Sequence, residues 1–244
     1  MLNVIIPLAG KDPRFEKLRI PKALIPINGK PLVRFCTDNL PYPFNEKNIQ
    51  IYFIILEEHD KKFNFSKKLK ELYPSSFIKI LKEPTEGAVC TVLTLKNQIN
   101  NDDELIVYLA DIYFKGNLKN IISSETNVCG FIPSFSSNNP KYSYSIVDKD
   151  NFVSEVAEKK VISNNASAGF YYFRKGSIFV ESAEKMISEN KRVNNAFFIC
   201  PVYNEVILKN KVKIITVDFV FDLGDDSFIK KYVTDDLYDK SSNL

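Results

Sequence analysis

A chain of 244 residues, 45% apolar and 26% charged, has the material for a sizeable core and falls outside the disordered class. Its net charge of +3 is too small and dispersed to argue for a nucleic-acid partner, and pairs such as Lys61-Lys62 read as solvated helix faces. No apolar stretch nears the ~20 residues that span a bilayer, and no basic leader precedes the first apolar run, so no membrane partner and a cytoplasmic location are expected.

Strand and helix signals alternate along the chain. Short β-branched or aromatic runs at residues 2–8, 51–56, 77–81, 105–110, 128–133, 168–173 and 212–217 predict buried strands. A further strand-like run covers Ala23 to Ile27. Leu32, Cys36 and Leu40 recur at helical spacing, as do Phe65, Leu69 and Leu72–Tyr73, and then Ile178–Phe179, Ala183 and Met186–Ile187. Such alternation predicts an α/β fold, Rossmann-like, with a mostly parallel mixed sheet covered by helices on both faces. With no linker, repeat or composition break, residues 1–244 are expected to form one domain. Cys36, Cys90, Cys129 and Cys200 form no CxxC and read as reduced core residues. His59 is alone among histidines and reads as a loop or helix-start residue.

Candidate site residues follow from where the strands end. The first strand run empties into a turn at Gly10, where backbone N–H groups could approach an anion. Arg14 and Lys22 add a guanidinium fork and a point-charge ammonium, the parts a triphosphate needs. Parallel sheets gather ligands at the carboxyl ends of their strands, which singles out Asp111, after the run 104–110, and Asp222, after 217–221 and before a glycine. Either could meet Mg²⁺, which takes one or two carboxylates and fills its shell with water and phosphate oxygens. A helix N-cap would look the same. Asp225 or Asp226 is the better cap for a helix expected at 227–233, leaving Asp222 for another role. Further along, Glu86-Gly87-Ala88 opens a helix carrying Val89, Val92 and Leu93. Glu158-Lys159 ends an alternating run, and Ser167-Ala168-Gly169 opens an aromatic strand.

Gly10, Arg14, Pro21-Lys22 and Gly29-Lys30-Pro31 together resemble the signature of the sugar-1-phosphate nucleotidyltransferases, the NDP-sugar pyrophosphorylase-like enzymes. Leu109-Ala110-Asp111, Asp222-Leu223-Gly224, Glu158-Lys159 and Ala168-Gly169 resemble later family motifs in the right order. The resemblance implies a nucleotidyltransferase fold, and a reaction that moves NMP from an NTP to a phosphorylated acceptor with release of pyrophosphate. It implies that Leu8, Ala9, Gly10, Lys11, Glu86, Gly87 and Ala110 hold the nucleotide, with Arg14 and Lys22 catalytic. Asp111 and Asp222 would hold Mg²⁺. Glu158, Lys159, Gly169, Asn194 and Asn195 would hold the acceptor, in a portion spanning about 130–210. Compact members of this type serve capsule and polysaccharide precursors, so the expected substrates are a pyrimidine triphosphate (CTP, UTP or dTTP) and a sugar 1-phosphate or similar acceptor. A homo-oligomeric state stays open. So do two other classes: a weakened nucleotide-binding or regulatory protein, raised by Lys11-Asp12-Pro13 where the family has small residues, and a metal-dependent nucleotide-sugar glycosyltransferase. The latter would want a second acid where Ile112-Tyr113 follows Asp111.

Overall fold

The computed structural model describes residues 1–10, 20–27, 29–38, 40, 42 and 48–224. In chain order the strands are β1 (Leu2–Pro7), β2 (Pro26–Ile27), β3 (Lys30–Pro31), β4 (Ile49–Leu56), β5 (Phe77–Leu81), β6 (Glu104–Tyr108) and β7 (Ile112–Lys115). There follow β8 (Gly130–Ser136), β9 (Ser143–Val147), β10 (Val153–Glu158), β11 (Asn165–Ser167), β12 (Phe170–Phe173), β13 (Val212–Thr216) and β14 (Phe219–Asp222). The helices are α1 (Leu32–Thr37), α2 (Glu57–Phe63), α3 (Phe65–Leu72), α4 (Ala88–Leu93), α5 (Lys96–Ile99), α6 (Leu118–Ser124), α7 (Gly176–Ser188) and α8 (Tyr203–Val206).

One large mixed sheet runs in the order β10-β9-β11-β8-β12-β6-β1-β4-β5, with β13 added parallel to β8. Strands β6, β1, β4 and β5 pair in parallel. From β12 to β10 the neighbours along that path run antiparallel. Alternation along each central strand divides the core between the two faces. Val4, Ile6, Phe53, Ile106 and Tyr108 pack with Leu32, Leu69 and Leu118 of α1, α3 and α6. Ile5, Ile54, Leu105 and Val107 pack with Val92, Phe179, Met186 and Tyr203 beneath α4, α7 and α8. Strands covered on both sides are apolar at nearly every position, Asn3 of β1 being a buried exception, which is why their runs stood out in the sequence. The α/β fold with helices on both faces is therefore present.

Several boundaries differ from the expectation, each for a local reason. The run 105–110 stops at Tyr108 because Ala110 takes a left-handed φ of 55°. The run 168–173 breaks at Gly169, where φ is 70°, so that β11 and β12 are separate strands. Ala23 to Ile27 does not form one strand: Lys22–Leu24 is a 3-10 turn leading into the short β2. Leu40 lies beyond the end of α1, whereas His59 falls in the first turn of α2, a helix-start position as expected. The pairings of β7 with β14 and of β9 with β10 were not read from the sequence, which marked only the apolar run before Asp222 and the alternating run ending at Glu158-Lys159. All four cysteines carry free thiols, with Cys36 and Cys200 buried. No helix among the described residues is long and apolar enough to cross a membrane.

Candidate active site

The site begins with a backbone kink. Directly after β6, the left-handed Ala110 turns the chain out of the sheet and presents Asp111 at the strand's carboxyl end. A non-glycine residue held there costs on the order of 1 kcal/mol, and such strain persists only where neighbours enforce it. Here Leu109 N–H donates to Gly169 O at 2.9 Å, and Leu223 N–H donates to Asp111 O at 2.9 Å. The second bond continues the antiparallel β7–β14 pairing, which sets Asp222 opposite Ile112 and so brings a distant carboxylate beside Asp111. Lys22, from the 3-10 turn, reaches in to place Nζ 3.0 Å from Asp111 Oδ2.

Gly224 marks the point of convergence. A Cβ built on it would stand 3.1 Å from Asp222 Oδ1, 3.2 Å from Lys22 Nζ and 3.4 Å from Asp111 Oδ2. Asp222 is held by three donors: Gly224 N–H at 2.7 Å on Oδ1, with Tyr142 O–H at 2.6 Å and Lys141 Nζ at 2.8 Å on Oδ2. Burial and the bond to Asp222 keep the Tyr142 hydroxyl protonated, far above the ordinary tyrosine range. Two carboxylates around a space that a side chain would fill suit Mg²⁺, whose remaining positions go to water and phosphate. No group of three or more His, Cys, Asp or Glu side chains gathers at one point among the described residues.

Two hollows meet at Asp111. The larger, about 460 Å³, is lined by Lys141, Tyr142, Glu158, Lys159, Phe198 and Asp222 among others. The smaller, about 240 Å³, is lined by Leu8, Gly10, Lys22, His59 and Ala110. Leu109 and Asp111 belong to both, so a group in either would end at the same carboxylate. A third hollow of about 570 Å³ lies by the start of β4, away from the strands' carboxyl ends. Its Arg34 is already committed to Asp38 at 2.5 Å, so we place no chemistry there.

The far wall of the larger hollow comes from the β9–β10 pair, whose register sets Glu158 opposite Ser143. The Ser143 hydroxyl donates to the Glu158 carboxylate. Lys159 follows in a left-handed conformation (φ 53°), its N–H on Tyr142 O at 3.0 Å and its Nζ 4.6 Å above the Phe198 ring. Burial pushes the Glu158 carboxyl up, and this outweighs the opposing pull of Ser143 and Lys159. Because the folded value is the higher one, protonation favours the fold. The stability Glu158 lends is whole below the ordinary glutamate value of ~4.3 and is lost as pH rises through the raised value. Glu158→Gln keeps the shape without the buried charge. It is expected to raise Tm above wild type at pH 7, with the difference vanishing at pH 4 and below. Melting curves across that range test this, and a Tm at pH 7 equal to or below wild type would contradict it.

The structure brings Leu8, Gly10, Lys22, Ala110, Asp111, Glu158, Lys159, Gly169 and Asp222 to the two hollows. Ala9 is buried beneath them. It does not bring the rest. Glu86 is exposed and paired with Arg192 at 2.8 Å, and neither it nor Gly87 lines a hollow, although Ala88 does. Asn194 and Asn195 both take left-handed φ (48° and 62°) in the turn that bridges Val193 to Ala196. Lys11, Asp12, Arg14, Asp225, Asp226 and the helix expected at 227–233 lie outside the described residues. The sequence reading missed Lys141, Tyr142, Ser143 and Phe198, which no apolar run or charge pattern marks.

Two aspartates and a lysine thus converge just past the carboxyl end of β6, where α/β proteins gather their ligands. The chain belongs to the nucleotidyl transferase family, whose sequence model matches residues 17–228, and it is a nucleotidyltransferase enzyme. No curated protein sequence matches the chain. Among solved structures, it is similar to a nucleoside-diphosphate-sugar pyrophosphorylase from Vibrio cholerae RC9, with TM-score 0.78 and 20% identity over 96% of this chain and 99% of that one. A UDP-glucose pyrophosphorylase in complex with UDP-glucose aligns at TM-score 0.73 and 18% identity, covering 99% of both chains. The inositol-1-phosphate CTP transferase from T. maritima aligns at TM-score 0.67 and 11% identity, over 97% of this chain and 94% of that one.

Proposed function

We propose that the protein is a Mg²⁺-dependent cytoplasmic enzyme that transfers NMP from a pyrimidine triphosphate (CTP, UTP or dTTP) to a sugar 1-phosphate or similar small phosphorylated precursor of capsule or polysaccharide. The convergence of Asp111, Asp222 and Lys22 on Gly224, where the two hollows meet, carries this reading. The uridine and cytidine nucleotides named for two of the similar structures support a pyrimidine. Residues 1–244 act as one domain in this reading, with the acceptor portion at about 130–210.

The donor lies in the smaller hollow and the acceptor in the larger, so that their phosphates face each other across Asp111. Asp111 and Asp222 would hold Mg²⁺, which would supply positive charge to offset that of the phosphates. Lys22, aimed by Asp111, donates to the α-phosphate, and that contact strengthens as charge builds on its oxygens in the transition state. Glu158 accepts from acceptor hydroxyls, and Lys159 holds the acceptor phosphate. An acceptor phosphate oxygen then bonds to the α-phosphorus in line with the departing bridge oxygen, and pyrophosphate leaves. No general base is called for, since that oxygen is already deprotonated at neutral pH. Positioning two anions in one crevice is the main task. Arg14 neutralises the leaving pyrophosphate by family resemblance.

Thermal melting with ATP, GTP, CTP, UTP and dTTP, each with and without Mg²⁺, tests the donor. A ligand at ~100 times its Kd adds about 2.7 kcal/mol, and each kcal/mol moves Tm by roughly 2–4 °C for a chain this size. A magnesium-dependent rise of about 5–10 °C with one pyrimidine triphosphate is expected. No shift with any of the five would overturn the reading and favour a protein that has lost its donor site.

A further inference from the structure

Lys141 stands at the mouth of the larger hollow with its ammonium on Asp222, and its presence there is not explained by the need to hold that carboxylate. Asp222 is already oriented by two neutral donors, the Gly224 N–H at 2.7 Å on one oxygen and the Tyr142 hydroxyl at 2.6 Å on the other. An ion pair between side chains this accessible (35% and 18% exposed) adds little to stability. What the position does offer is a cation where an anion must come. Under the proposed reaction, an acceptor phosphate has to approach within bonding distance of a second phosphate, beside the carboxylates of Asp111 and Asp222. Lys159 supplies one positive charge from the β10 side of the hollow, above the Phe198 ring. Lys141 immediately precedes β9 and reaches the same hollow from the Asp222 side.

We infer that Lys141 is a second phosphate-binding residue of the acceptor subsite, resting on Asp222 until a metal takes that carboxylate and then turning its ammonium to the acceptor phosphate. A flexible four-carbon stem with three donors suits such a change of partner. The Tyr142 ring, 5.1 Å from Nζ, keeps the stem over the hollow in either position. This inference rests on the transferase reading for its acceptor, and two measurements separate the failure of one from the failure of the other.

The first uses no substrate. Free Mn²⁺ is followed by electron paramagnetic resonance during titration of wild type, Lys141→Met and Lys141→Arg. Removing the competing ammonium should tighten Mn²⁺ binding by about 3–10-fold in the Met variant and leave the Arg variant near wild type. A purely structural lysine would change melting temperature without tightening the metal, and unchanged Mn²⁺ affinity would overturn the inference. The second is kinetic, with a panel of hexose 1-phosphates as the acceptor probe. Loss of one charge-assisted contact to phosphate should raise the acceptor KM of Lys141→Met by about 10–100-fold. The NTP KM should change little, and Lys141→Arg should recover most of the loss. An unchanged acceptor KM, or an equal loss on the NTP, would overturn the inference. Should wild type release no pyrophosphate with any member of the panel, the sugar 1-phosphate reading of the acceptor fails and inorganic phosphate becomes the probe. Its affinity for the Mn²⁺-loaded protein, by calorimetry, should still fall by about 10-fold or more in Lys141→Met. An equal affinity in both proteins would overturn the assignment.

Discussion

Asp111→Ala is expected to abolish turnover while leaving the protein folded. The side chain contributes little to the fold, because its ion pair with Lys22 is partly exposed and its carboxylate lies in no core cluster. What holds this segment is main chain: Leu223 N–H on Asp111 O, the β7–β14 pairing beside it, and the Leu109 bond to Gly169. All of these survive truncation of the side chain. The chemistry has no substitute, since Asp111 touches both hollows, aims Lys22 and supplies one of the two carboxylates at Gly224. Removing one preorganised charge typically costs ~10²–10³ in kcat, and Asp111 removes a metal ligand and the guide for Lys22 together, so a loss beyond ~10³ is expected. Pyrophosphate release measured beside a melting curve decides it. A variant with wild-type Tm that keeps more than about a tenth of the turnover would remove Asp111 from the mechanism.

How much of this site was legible depends on what kind of signal each residue carries. Asp111 and Asp222 could be singled out because each ends an apolar run, and ligands of parallel sheets gather where strands end. That the two meet could not be read. Their approach is made by β14 against β7, short strands in which Phe219 is exposed and Val220 and Tyr113 only partly buried, so that nothing in the apolar pattern names one as the partner of the other. Lys141, Tyr142 and Ser143 were invisible for a related reason: a turn residue and a strand start gain meaning only from the register that sets Ser143 opposite Glu158. Asn194 and Asn195 carry a second signal that the sequence alone does not separate from a ligand role: asparagine is among the few residues that tolerate a left-handed backbone, and both take one in a tight turn. The central parallel strands were the most legible elements, since burial on both faces leaves near-continuous apolar runs.

Gly87 is a position where the ligand reading and the packing reading diverge, and a single methyl group separates them. The residue has φ 128° and ψ 174°, a region open essentially to glycine alone. A Cβ there would stand 2.5 Å from both Phe197 N and Phe197 O, main-chain atoms that cannot rotate aside. Those same atoms stitch the start of α4 to the loop 190–199: Phe197 N–H donates to Glu86 O at 2.8 Å, and Val89 N–H donates to Phe197 O at 3.1 Å. Gly87→Ala must therefore adopt a disfavoured backbone and break both of these hydrogen bonds. Phe197 is itself fully buried among Val89, Ile199 and Cys200, so the strain reaches the core. A loss of at least ~3 kcal/mol is expected, which lowers Tm by roughly 6–12 °C. Were the glycine needed only so that a nucleobase could lie flat against the chain, the variant would melt like wild type in the absence of nucleotide and differ only in triphosphate affinity. A ligand-free Tm within about 2 °C of wild type would give Gly87 back to the nucleotide. A large drop assigns it to the joint between α4 and Phe197, on which the wall of the larger hollow at Phe198 and Ile199 depends.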